Sequence, residues 1–173
     1  LEKFFDRVNH DKLMSLIARR ISDQATLKLI RLFLESDIME GGVQSQRLEG
    51  TPQGSPLSPL LSNIMLHELD EELTRRGHSF VRYADDCSIY VRSEKSARRV
   101  LENITKYIEN ELRLKVNRTK SKISRPTRST LLGFSFYCTK GRWTIRIAEK
   151  SLERMKTKCK LRTRGSKGRN IHQ

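Results

Sequence analysis

Two adjacent carboxylates, Asp85 and Asp86, stand between short apolar stretches at 80–83 and 87–91. Unit charges about 4 Å apart repel by roughly 1 kcal/mol in water and by more where water is scarce. A divalent cation removes that cost, and the hard carboxylate oxygens suit Mg²⁺, which completes its octahedron with waters and phosphates. Asp is also a favoured turn residue and most such pairs are simply solvated, so the doublet by itself is weak evidence for a metal.

A second stretch with chemical potential is Gly50-Thr51-Pro52-Gln53-Gly54-Ser55-Pro56-Leu57-Ser58-Pro59. Its three prolines and two glycines exclude a regular element. Backbone of this kind ahead of a helix can approach a nucleotide closely and offer N–H donors. From composition alone it reads equally as a rigid lead-in to a core helix. Ser58 is placed as the N-cap with Pro59 in the first helical position, and Leu61, Met65, Leu69 and Leu73 then recur every four residues until Arg75, Arg76 and Gly77 close the helix.

The elements that must hold these groups follow from periodicity. Asn9 is an N-cap before Leu13, Leu16 and Ile17, and a second helix after Asp23 carries Leu27, Ile30 and Leu34. Residues 37–49 predict a loop with a short hairpin. The stretches flanking Ala84-Asp85-Asp86 predict a tight hairpin. A helix from about Ser96 presents Ala97, Leu101, Ile104, Ile108 and Leu112 on one face. A second hairpin is expected over 130–138 and 143–147, around Thr139-Lys140-Gly141-Arg142, and the tail from Glu149 is Lys/Arg-rich with a weak apolar pattern.

With 173 residues the chain has length for one core, or one domain and part of a second. It starts without a Met inside an amphipathic segment and is too short for a complete polymerase, so it reads as a piece of a longer protein. No apolar run reaches the length of a membrane span, and no signal pattern precedes the first polar residues. Cys87, Cys138 and Cys159 are odd in number and widely spaced, which suits neither a disulfide framework nor a zinc site and fits a reducing compartment, a bacterial or organellar interior. Histidines 10, 67, 78 and 172 are scattered and receive no ligand role. Charge is segregated: residues 1–90 hold 11 Lys and Arg against 14 Asp and Glu, a net of −3, whereas residues 91–173 hold 24 against 6, a net of +18. Such a surface is the footprint expected of a polyanion partner, since Lys and Arg displace counterions from phosphates; a basic surface without a partner is the alternative.

The motifs themselves resemble those of one family. Tyr83-Ala84-Asp85-Asp86 is similar to the third catalytic motif of reverse transcriptases, and Phe80-Val81-Arg82 ahead of it is characteristic of the group II intron branch. The string from Gly50 to Gly54 and on through Ser58-Pro59-Leu60-Leu61-Ser62-Asn63-Ile64 resembles the second palm motif almost throughout, with Ser55 where the family often has glycine. Phe4-Phe5-Asp6-Arg7-Val8-Asn9-His10 looks like the tail of the first motif, whose leading metal-binding Asp would stand immediately before Leu1. Residues 112–121 resemble the next motif, and Leu131-Leu132-Gly133-Phe134-Ser135-Phe136 the primer-grip hairpin. The resemblance covers about residues 1–150.

That resemblance implies an α+β fold, a reverse-transcriptase palm with a small antiparallel sheet backed by helices, over 1–148, followed by the basic start of a thumb or maturase region over 149–173. It implies RNA-directed DNA synthesis from dNTPs on a primer 3′-hydroxyl, with an RNA template and DNA primer, group II intron RNA as the natural partner, no membrane, and room for a homodimer. Asp85 and Asp86 would hold two Mg²⁺ ions, with Mn²⁺ able to substitute, and Asp85 is the better candidate for bridging them. Phe5 would exclude a 2′-hydroxyl; Gln53, Gly54, Tyr83, Ala84 and Lys120 would line the nucleotide; and Leu132, Gly133 and Phe134 would hold the primer end. Core packing explains Phe4, solvation explains Lys120 as well, and a bend in a core strand explains Gly133 as well. Two further readings stand beside this one: a non-catalytic RNA-binding maturase module, and another two-metal phosphoryl-transfer enzyme such as a nuclease. The Gly50–Ile64 string argues against the nuclease, and it fits the group II branch better than retron or diversity-generating reverse transcriptases.

Overall fold

A computed structural model describes residues 1–36, 38–40, 43–45, 49–52 and 54–163. Gln53 and residues 164–173 lie outside the described residues. The chain divides into two compact units, one over Leu1–Ile123 and one from Ser124 onward.

In the first unit, α1 (His10–Ala18) and α2 (Gln24–Leu34) start where their caps dictate. Asn9 Oδ1 accepts from Lys12 N at 2.9 Å, and Asp23 Oδ2 from Thr26 N at 2.8 Å, so each satisfies a first-turn donor. Backbone strands β1 (Ile38–Glu40) and β2 (Val43–Ser45) pair antiparallel, as the expected short hairpin. The long helix α3 (Leu57–Arg75) buries Leu61, Met65, Leu69 and Leu73, and also Leu66. It ends on Gly77, whose positive φ lets Gly77 N reach Thr74 O and His78 N reach Leu73 O, the two bonds of a Schellman close.

Two local expectations are corrected. Ser58 is not the cap: the helix starts at Leu57 behind Pro56, and the Ser58 hydroxyl, already inside the helix, donates back to Pro52 O and ties the proline-rich loop to the first turn. In α4 (Glu94–Asn110), capped by Ser93, the core face carries Val100, Ile104 and Ile108, while Leu101 is 37% exposed. At 100° per residue, Val100 and Ile108 lie about 40° to either side of Ile104, whereas Leu101 lies about 60° from it, at the edge of that face.

Strands β3 (Ser79–Tyr83) and β4 (Asp86–Tyr90) form a hairpin paired from Ser79↔Tyr90 to Tyr83↔Asp86. Phe80 and Ile89, directly opposite, pack against the helical core with Val91. Past α4, Leu112, Leu114 and Val116 are buried at alternating positions, and Lys115 O accepts from Glu2 N at 2.9 Å. The core of this unit is therefore built from α1, Leu34 of α2, α3, α4, this extended segment and Phe4 and Val8 of the chain start.

The second unit holds β5 (Thr130–Leu131), β6 (Phe134–Thr139) and β7 (Arg142–Ile147) in one antiparallel sheet, ordered β5-β6-β7, and the helix α5 (Glu149–Thr163). The α+β class is as expected. Among the described residues the strands form three small antiparallel sheets, of two, two and three strands.

Candidate active site

Why Asp85 and Asp86 part company is a matter of strand geometry. A two-residue turn, Ala84-Asp85, joins β3 to β4, and Asp86 is already in the ladder opposite Tyr83. Ala84 has φ 50°, a left-handed backbone that costs an L-residue about 1–2 kcal/mol. Because side chains alternate along a strand, Asp86 shares the outward face with Tyr83, itself 61% exposed, while Arg82 and Cys87 share the inward face with Phe80 and Ile89. Asp85, at the tip and half-buried, has Oδ2 only 3.9 Å from the backbone nitrogen of Leu1.

The inward face at the turn end is polar. Arg82 grips Asp70 of α3 with two N–H groups, at 2.7 and 2.6 Å, and its remaining terminal nitrogen donates to Asn63 Oδ1 at 3.2 Å and to Ala84 O at 2.9 Å. The Asp70 carboxylate raises the already high pKa of the guanidinium, so this charge is permanent. Desolvation first, and the Asp70 carboxylate second, push the neighbouring Cys87 thiol up to about 11. The side chain is nonetheless exposed at the surface.

Opposite this, the glycine-rich loop is strapped to the chain start. Gly50 N donates to Val8 O at 2.8 Å, Thr51 N to Phe5 O at 2.6 Å, and His10 Nε2 lies 2.7 Å from Gly50 O. Phe5 is thereby brought to the same place as the loop, half-buried and edge-on to the core ring of Phe4 at 5.3 Å between centroids. Gly50 and Gly54 differ in what they make room for. A Cβ on Gly50 would meet Phe5 O at 2.7 Å, whereas a Cβ on Gly54 would meet nothing within 4 Å. Gly50 thus serves the chain's own packing, and Gly54 is the open approach. Among the described residues, the buried hydroxyls of Thr51 and Ser62 find no hydrogen-bond partner, and both belong to this loop and helix.

Lys120 is exposed, its backbone N held by Asn117 Oδ1 at 3.0 Å. In the second unit, Leu132 (φ 51°) and Gly133 (φ 82°) form the turn into β6, with Leu132 and Phe134 exposed. Gly133 O accepts from Ala148 N at 2.8 Å, so the turn rests on the start of α5.

Residues 1–136 match the family model described as reverse transcriptase (RNA-dependent DNA polymerase). The chain belongs to the reverse transcriptase family. The chain is 31% identical over 157 residues to Protein YkfC of Escherichia coli, covering 71% of this chain and 41% of that protein. It is 41% identical over 78 residues to the group II intron-encoded protein LtrA of Lactococcus lactis, 45% of this chain and 13% of that one. Retron Mx65 reverse transcriptase of Myxococcus xanthus is 35% identical over 77 residues, 42% of this chain and 18% of that protein. A solved partial Cas6-RT-Cas1–Cas2 complex matches 64% of this chain and 21% of its own at 29% identity, with a TM-score of 0.37. The chain thus spans less than half the length of these relatives. As a member of that family, the chain carries the carboxylate hairpin and the glycine-rich loop in one compact unit.

The donor chemistry of the hairpin suits a hard cation, since both groups are carboxylates and Asp86 is exposed. Among the described residues no three of His, Cys, Asp and Glu come together, so the pair is an incomplete set. Two residues that sequence reasoning left without a role, Arg82 and His10, hold the two halves of the site. Their partners lie 12 and 40 residues away in sequence, and no local pattern announces such a pairing. Among the described residues no helix is long and apolar enough to cross a membrane.

Proposed function

We propose that this chain is the palm of an RNA-directed DNA polymerase of the group II intron type, adding dNTPs to a primer 3′-hydroxyl on an RNA template. The observation that carries the reading is the reverse transcriptase match over residues 1–136, within which the Asp85-Asp86 turn and the Gly50 loop fall in one compact unit. Asp85 and Asp86, together with the Asp that leads the family's first motif, are the proposed holders of two Mg²⁺ ions, which when bound stabilise the attacking and leaving oxygens of the transfer.

The remaining roles follow from the chain's own groups. Phe5 and Gly54 flank the space for the incoming nucleotide, Phe5 excluding a 2′-hydroxyl and Gly54 leaving the backbone open to approach. Tyr83 and Ala84 lie under the nucleotide, Gln53 contacts its sugar, and Lys120 offers a cation to its phosphates. Leu132, Gly133 and Phe134 hold the primer end. The proposed palm extends over residues 1–148, with the thumb starting at the basic segment from Glu149. The surplus of 24 Lys and Arg over 6 acids in residues 91–173 supplies phosphate contacts, so affinity for RNA falls steeply with salt. Intron RNA is the proposed natural partner.

The test is deoxynucleotide incorporation on a primed RNA template by the full-length protein with Mg²⁺. Asp85→Asn should cut the rate by at least about 10³-fold, the scale of losing a group that stabilises charge only in the transition state. Parent protein inactive on every primed template, or an Asp85→Asn variant as fast as the parent, refutes the enzyme reading and leaves RNA binding in support of splicing as the function.

A further inference from the structure

Apolar packing of the carboxylate hairpin ends one pair short of the turn. Phe80 and Ile89 are anchored in the core, and the next inward pair is Arg82 with Cys87. Beyond them comes a turn whose first residue is held at φ 50°. What holds that strained turn in place on its inward side is a polar tether to α3.

We propose that Arg82 is the positioning residue of the carboxylate turn. Its guanidinium is fixed to Asp70 and Asn63 of α3, and it holds Ala84 O, setting the height and direction at which Asp85 and Asp86 meet a divalent cation. The inference rests on reading that turn as a metal-holding site. Four hydrogen bonds from one side chain span helix and turn, and the side chain is only 13% exposed. Only a planar fork does this: the edge facing Asp70 is occupied bidentately, leaving the last nitrogen free to point at the turn. A lysine has one nitrogen for all of these partners. The charge itself is neutralised by Asp70, so the guanidinium neither repels a cation at the turn nor competes for Asp85. Its contribution is geometric. Because Asp85 and Asp86 follow Ala84 directly, a shift of its carbonyl is passed to both carboxylates. Asp70, Arg82 and Ala84 thus link the long core helix to the chemistry.

The test compares Arg82→Lys, Arg82→Gln and Asp70→Asn with the parent in the full-length protein. Three quantities are read: Tm, metal-free amide hydrogen exchange over residues 80–90, and Mn²⁺ affinity from water-proton relaxation. Arg82→Lys keeps a buried cation opposite Asp70 and should keep Tm within a few degrees, while exchange at the turn accelerates and the Kd for Mn²⁺ rises about tenfold or more, the usual range for an outer partner of a metal ligand. In polymerisation assays kcat should fall more than KM for dNTP rises. Where Arg82→Gln or Asp70→Asn unfolds, Arg82→Lys decides. Parent-like turn exchange and Mn²⁺ affinity in Arg82→Lys overturn the positioning role and leave the metal reading standing. A parent that binds no Mn²⁺, like its Asp85→Asn variant, overturns both.

Discussion

Nε2 of His10, in the first turn of α1, donates to the carbonyl oxygen of Gly50 at 2.7 Å, and both residues are buried. A buried carbonyl must be paired, and a ring that donates to it fixes the Nε2–H form of the imidazole. This one bond joins the segment carrying Phe5 to the loop carrying Gly54.

His10→Ala should therefore strand the Gly50 carbonyl. We expect a loss of about 1–3 kcal/mol, the cost of a buried acceptor left unmet. Chemical denaturation measures it, and a loss below about 0.5 kcal/mol means that the loop is held without His10.

The two glycines of the loop should respond differently to the same methyl group. Gly50→Ala forces a Cβ within 2.9 Å of backbone atoms of Asp6 at φ 88°, and should cost about 3 kcal/mol or more. Gly54→Ala meets open space at φ 83° and should cost about 1 kcal/mol, while impairing nucleotide affinity. Equal destabilisation by both would contradict the packing described for Gly50.

Among the described residues, the buried hydroxyls of Thr51 and Ser62 find no partner. Thr51→Val and Ser62→Ala should each raise Tm, by a few degrees for about 1 kcal/mol, because they remove a desolvated group that gains nothing on folding. A fall in Tm for either variant shows that its hydroxyl is paired in solution.

Glu72 accepts from Arg75 and Arg76, and the Arg75 hydrogen bond, with that of Arg76, holds its carboxyl at about 2 against an ordinary 4.5. A depressed carboxylate stabilises the fold above its unfolded value and loses that contribution as pH falls towards the folded value. The contribution is complete above about pH 5 and disappears between there and about pH 2. Solvent screening keeps it near 1 kcal/mol. Glu72→Gln should flatten the Tm–pH curve in that window and lower Tm slightly at neutral pH; an unchanged curve refutes the pairing.

The thiol at about 11 makes Cys87 slow to alkylate at pH 8. Mass-spectrometric labelling with iodoacetamide should modify Cys138 and Cys159 ahead of Cys87. All three cysteines are exposed, so Cys87 labelled first would overturn the raised thiol.

Much of this protein is local and hence written in its order of residues. Asn9, Asp23 and Ser93 cap helices because each has an oxygen where a first-turn N–H needs one. Leu61, Met65, Leu69 and Leu73 face the core because a four-residue interval nearly closes one helical turn. The hairpin around Ala84-Asp85 and the carboxylates it displays follow from period-two strands on either side. Other features depend on what each segment meets in three dimensions. Leu101 lies only about 20° from Ile108 around α4, so that Val100 is buried and Leu101 exposed depends on what the edges of that face meet in the fold. Helix α5 forms although it buries none of its residues, so its pattern carried no face to detect. Single residues with partners far along the chain, His10 on Gly50 and Arg82 on Asp70, have no signature at all, because hydrogen bonding rewards proximity and direction without regard to sequence separation. Sequence alone thus determined which groups could do the chemistry, whereas only the tertiary structure decided what holds them still.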